Sequence, residues 1–126
     1  MNHDEFVGQV QHRAHLASRG DAETIIRATF ETLGERLQPQ AAAHVAAQLP
    51  PELGRHLENR AFEHLSVHDF NERVAGREHA DIEKASFHAR CVLDTMREAI
   101  SPGAVRKLRQ QMPQEFQPLL RPEQSR

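Results

Sequence analysis

The sequence contains neither tryptophan nor tyrosine; its only aromatics besides histidine are six phenylalanines. That weakens any reading that needs stacking platforms for single-stranded nucleic acid. A single cysteine, Cys91, excludes an internal disulfide framework and a multi-cysteine zinc site. No run approaches the roughly 20 apolar residues of a membrane span. No apolar segment follows a basic start at the N-terminus, so we expect a cytoplasmic protein with no membrane role. Charge of one sign is also lacking. The net charge is −2, with six Lys/Arg against nine Asp/Glu in residues 1–63 and ten against nine in residues 64–126. Duplex binding usually needs a strongly basic face, so nucleic acid is an unlikely partner. Strand alternation and Asn-Gly hairpins are missing, and none of the seven prolines interrupts a long periodic stretch.

What remains is one helical domain's worth of chain, 126 residues with 38% apolar and 27% charged side chains. Ile26, Phe30, Leu33 and Leu37 fall on one helical face, and Ala89, Leu93, Met96 and Ile100 repeat that spacing 63 residues later. Under the same shift, ten of the 36 positions from 22 to 57 are identical. They include Arg27/Arg90, Thr32/Thr95, Glu35/Glu98, Pro39/Pro102 and Pro50/Pro113. The opening helices align with a shift of 64, through Phe6/Phe70, Val10/Val74 and Arg13/Arg77. Apolar stripes and prolines moving together make this an internal repeat.

The fold expected is therefore all-α, a tandem repeat of two four-helix units packed as one helical bundle domain. The first repeat spans 3–57, with helices near 3–18, 21–37, 40–48 and 51–57. Residues 58–66 form a linker. The second repeat spans 67–120, with helices near 67–79, 81–100, 103–111 and 114–120, and residues 121–126 read as a flexible tail. Asn2 with Glu5 and Ser66 with Asp69 have capping-box spacing. Asp21 and Asp81 are positioned to cap the two long helices, and Ser101-Pro102 reads as a cap followed by proline at the first helical position.

The phrase Leu49-Pro50-Pro51-Glu52-Leu53 is echoed as Met112-Pro113-Gln114-Glu115-Phe116. With it come Asp4-Glu5-Phe6…Val10, repeated as His68-Asp69-Phe70…Val74, and Thr32-Leu33-Gly34-Glu35-Arg36-Leu37, followed later by Thr95-Met96-Arg97-Glu98-Ala99-Ile100. In that order, over roughly residues 3–120, they resemble the DUF2267 family of bacterial proteins. The resemblance implies an all-helical, uncharacterised protein and supplies no catalytic residue, cofactor or substrate.

Chemistry-bearing residues offer little that coheres. Among nine histidines, His12 and His15 are i, i+3 neighbours on a predicted helix, and His64 and His68 are i, i+4 neighbours across the linker. They are the only weak metal candidates, two ligands each where a site needs three or four, and surface exposure explains them more simply. Full histidine protonation would carry the net charge from −2 to +7, so solubility should respond to pH. Cys91 has His88 and Arg90 nearby, but its repeat partner is Ala28, which suits a small buried slot better than a nucleophile. Arg27–Glu31 and Arg90–Asp94 read as surface ion pairs on helices. Arg106-Lys107-Leu108-Arg109 is a basic run too short for a strong nucleic-acid site. Phe87 and Cys91 lie off the main stripe of their helix, and with Phe62 of the linker they are the interface candidates. The expectation is a non-enzymatic protein, without a cofactor or an identifiable small-molecule substrate, acting through a protein partner or as a homodimer. The alternative is a metal- or pH-responsive histidine-rich protein, and the lesser one a weak nucleic-acid binder through residues 106–109.

Overall fold

A computed structural model describes residues 1–121. Its regular secondary structure is all helical, with no strand among the described residues. The eight α-helices among them are α1 (His3–Arg13), α2 (Arg19–Arg36), α3 (Pro39–Ala46), α4 (Pro51–Gly54), α5 (Val67–Glu78), α6 (Ile82–Ala99), α7 (Pro102–Gln111) and α8 (Gln117–Leu120). Single 3-10 turns follow α4 at Arg55–Leu57 and precede α8 at Gln114–Phe116. The expected tail beyond residue 121 lies outside the described residues. No described helix is long and apolar enough to cross a membrane.

Side-chain caps set most of the boundaries. Asn2 Oδ1 accepts from the Glu5 amide at 2.8 Å while Glu5 accepts from the Asn2 amide, and Ser66 with Asp69 repeats the box. Asp81 and Ser101 cap α6 and α7 as their sequence positions suggest. Each such cap contributes about 1 kcal/mol to its helix. The cap of α2 is Ser18, whose Oγ accepts from the Asp21 amide at 3.1 Å. Asp21 instead sits in the first turn, where an acid favours the helix dipole. The first helix is also shorter than its pattern suggests. It stops at Arg13, and His15 adopts φ 55 in the left-handed region.

Four helices, α1, α2, α5 and α6, form the centre. The two halves of the chain interlock there: α2 packs on both α5 and α6, and α1 packs on both α2 and α6. The apolar stripes of α2 and α6 point inward, leaving Ile26, Phe30, Leu33, Leu37, Ala89, Leu93, Met96 and Ile100 all buried. Phe6, Phe30, Phe70 and Phe116 are at most 1% exposed, and burial of each contributes roughly 1.5–3 kcal/mol. The shorter helices fold back over this centre, α3 and α4 on α2, and α8 on α6. Contact between α3 and α7 closes one side and creates the concave surface described next.

Candidate functional site

Arg36 occupies the last turn of α2, where a cation is favoured by the helix dipole. It is only 7% exposed. Its guanidinium lies between two rings, 5.6 Å from the centroid of Phe62 and 5.3 Å from that of Phe116. Nε–H donates to the Leu65 carbonyl at 2.8 Å. Neither terminal nitrogen bonds to a described residue. No carboxylate among the described residues pairs with it, although most of the chain's other arginines have one. A buried cation costs several kcal/mol unless compensated, and here the compensation is two ring faces and one carbonyl.

Arg36 lines a groove of about 610 Å³. Leu37, Phe62, Met112 and Pro113 form its apolar walls, and His64 stands at its side with its ring edge-on to Phe62 at 4.7 Å. Gln38 and Gln111 also line it, and both belong as well to a second groove of about 410 Å³ between α3 and α7. The second groove carries His44 and Lys107. No aspartate or glutamate lines either groove among the described residues.

The acids are held elsewhere. Glu31 and Glu35 of α2 are 13% and 12% exposed and sit among Arg27, Arg60, Arg73 and Arg77. They are thus largely enclosed, not surface pairs as their spacing suggested. Burial alone would push both carboxyls up. Hydrogen bonds and charge from Arg27, Arg60 and Arg77 on Glu31, and from Arg77 and Arg73 on Glu35, outweigh it and hold both below the usual carboxylate range. Arg77 of α5 donates to Thr32 Oγ1 at 2.8 Å and to Glu35 at 2.5 Å, while Thr32 Oγ1 donates to Ala28 O at 2.8 Å. Arg13 of α1 does the same across the molecule. It donates to Thr95 Oγ1 at 2.8 Å and to Glu98 of α6, and Thr95 Oγ1 donates to the Cys91 carbonyl at 3.0 Å. These clusters fasten α5 to α2 and α1 to α6. A further enclosed pair joins α5 to α6, with His88 Nδ1 2.5 Å from Glu78 Oε2 and side chains 10% and 3% exposed.

The model of DUF2267, an uncharacterized conserved protein, matches residues 3–119. The chain belongs to the DUF2267 family. No curated protein matches it.

Within this DUF2267 chain the sequence candidates scatter. His12 is exposed at the end of α1, and His15 lies beyond that helix, so the two do not share a helical face. His64 is exposed beside Phe62, and His68 is exposed with its Nε2 3.4 Å from Glu72 of its own helix. No three His, Cys, Asp or Glu side chains gather among the described residues as a metal site would need. Cys91 is 4% exposed and packs in the core, so it does not form a surface patch with Phe87, which is 47% exposed. Phe62 is half-buried against Arg36 and faces the groove. In the basic run Arg106 and Lys107 are exposed, while Arg109 Nε approaches Gln117 Oε1 at 3.4 Å. Arg36 carried no sequence signal, because its burial is made by Phe62 and Phe116 from segments remote along the chain.

Proposed function

We propose that this chain is a non-enzymatic binding protein, built as two copies of one helical unit, that engages a protein partner through the groove beside Arg36. The observation that carries the reading is the pairing state of Arg36. Most of the other arginines are matched with acids, whereas this one, the most deeply buried of those without an acid among the described residues, has no described partner for its terminal nitrogens and borders a concave, partly apolar surface. The bond to the Leu65 carbonyl and the two rings account for Nε and the guanidinium faces, and leave the terminal nitrogens unused by the described fold. Concave sites with a few placed polar groups are where ligands dock.

The two-copy reading is supported by the polar clusters. Thr32 and Thr95, and likewise Glu35 and Glu98, stand 63 residues apart, and Arg13 and Arg77 stand 64 apart. In each case the arginine of one half holds the threonine and glutamate of the other. Side chains so engaged are scaffold and are held within the fold.

The test uses site-directed cross-linking. Cys91 is buried, so Gln38→Cys places the only exposed thiol at the groove, and Glu83→Cys places it on exposed α6 as a control. Each variant, carrying a thiol-linked photo-cross-linker, is irradiated in extract of its native cell. A defined adduct from Gln38→Cys that is missing from Glu83→Cys is the expected result. Identical adduct sets from both positions, or none from either, would remove the reading. Light scattering then tells a different protein from a second copy.

A further inference from the structure

We propose that the occupant of the Arg36 groove is an extended acidic peptide segment, whose carboxylate takes the two unbonded guanidinium nitrogens while a neighbouring apolar side chain lies against Phe62 and Met112. This deepens the reading above and rests on it.

The recognition chemistry follows from the fork. With Nε committed to Leu65 O, the remaining edge of the guanidinium presents parallel N–H groups, the geometry that a carboxylate meets bidentately. The rings of Phe62 and Phe116 hold the fork in place, so little rotamer freedom is left to lose on binding. Charge complementarity points the same way, because the permanent charges in the lining, Arg36 and Lys107, are both cationic and no acid lines either groove among the described residues. The length of the site favours a peptide over a compact anion. The two grooves share Gln38 and Gln111 and continue from Phe62 along the α3–α7 seam. The glutamine amides supply both donors and acceptors, as a peptide backbone requires. The apolar walls argue against nucleic acid, whose phosphates would find one sandwiched arginine and a single lysine.

Fluorescence anisotropy tests the inference with labelled eight-residue peptides of alternating Glu and Leu, the Gln-for-Glu and Lys-for-Glu versions, and a short oligothymidylate. The Glu-Leu peptide should bind, and the Gln version should bind about tenfold to a hundredfold more weakly, the range expected when one charge-assisted contact is lost. Arg36→Met should weaken the Glu-Leu peptide by a similar factor while the chain stays folded, which circular dichroism reads alongside the anisotropy. Gln111→Glu alters only an exposed lining residue and should abolish binding by placing an acid at the junction of the grooves. Several outcomes would overturn the proposal: no binding of the Glu-Leu peptide, equal binding of the Gln version, binding unaffected by Gln111→Glu, or an Arg36-dependent preference for the oligonucleotide. If the Gln38→Cys adduct forms and survives both substitutions while the peptides fail, the groove still holds a partner and only the acidic-peptide assignment falls.

Discussion

Gly34 presses its Cα against the backbone of Leu57: a methyl group built there would lie 2.3 Å from the Leu57 carbonyl oxygen. The neighbour is backbone, so it cannot swing aside as a flexible side chain would. Gly34→Ala must therefore push the 3-10 turn Arg55–Leu57 off α2, and we expect a loss of about 1–3 kcal/mol, the usual cost of overpacking. Gly8 and Gly76 are internal to α1 and α5 with nothing within 4 Å of a built methyl group. Gly8→Ala and Gly76→Ala should each stabilise by about 0.5–1 kcal/mol through helix propensity alone. Urea unfolding of the three variants checks all of this, and a neutral Gly34→Ala would show that the close approach does not matter.

The two cross-molecule arginines should differ in weight. Arg77 meets Glu35 at 12% exposure, whereas Arg13 meets Glu98 at 52%. Solvent screens the second pair, and such exposed pairs contribute about 0–1 kcal/mol. Removing a hydrogen-bonded charge from an enclosed acid costs more, about 1.5–3 kcal/mol per charge-assisted bond lost. Arg77→Ala is therefore expected to destabilise clearly more than Arg13→Ala, measured side by side by denaturant unfolding. Equal effects would mean that Arg73 and Arg60 fully take over the charge of Glu35.

Acidification should destabilise the fold in two stages. His56 is pushed below its ordinary 6.5 by burial and by the charges of Arg55 and Arg27, so folding favours the neutral ring. A depressed folded value means that its contribution is present above 6.5 and is lost as pH falls below it. Glu31 and Glu35 sit below their ordinary 4.5, so their contribution is intact at neutral pH and drains away as pH drops under about 4.5. Tm is expected to sag slightly as pH falls below 6.5 and then to fall steeply below about 4.5. His56→Gln should flatten the first stage only. A Tm that rises on acidification would contradict the directions given for all three groups.

The boundaries of the helices were readable because their signals are local. Asn2, Ser66, Asp81 and Ser101 each cap through an amide three residues away, and the stripe from Ile26 to Leu37 needs only helical spacing. The failures were contests between two local signals or effects of distant contacts. Ser18 and Asp21 both offered a cap, and the serine took the amide of the aspartate. The first helix ended early because the Leu16 amide donates to the Gln11 carbonyl and Gln11 Nε2 donates to the Leu16 carbonyl around a left-handed His15, a conformation that histidine does not advertise. The site was hidden for the second reason. Arg36 looks like any last-turn arginine until Phe62 and Phe116 arrive from elsewhere in the chain, and Cys91 looks like an off-stripe residue until α1 and α5 cover the flanks of α6.

The enclosed pair Glu78–His88 offers a direct check on the two-copy reading. Under the shifts of 64 and 63 residues these positions correspond to Ala14 and Ile25, which are 5% and 3% exposed. One half thus fills the place with apolar atoms where the other keeps a hydrogen-bonded Glu–His pair, with Glu78 Oε1 buried and without a hydrogen-bond partner among the described residues. His88→Ile alone leaves the Glu78 carboxyl group without its hydrogen-bond partner and should cost about 1–3 kcal/mol, the desolvation cost of an unsatisfied buried polar group. Adding Glu78→Ala recreates the Ala14/Ile25 combination, and the double variant should return to within about 1.5 kcal/mol of the parent, as volume-matched apolar exchanges do. A double-mutant cycle in denaturant reads the coupling directly. If the double variant is as unstable as His88→Ile, the two halves do not offer equivalent surroundings at this position, and the polar clusters at Thr32 and Thr95 would have to be explained without a common unit.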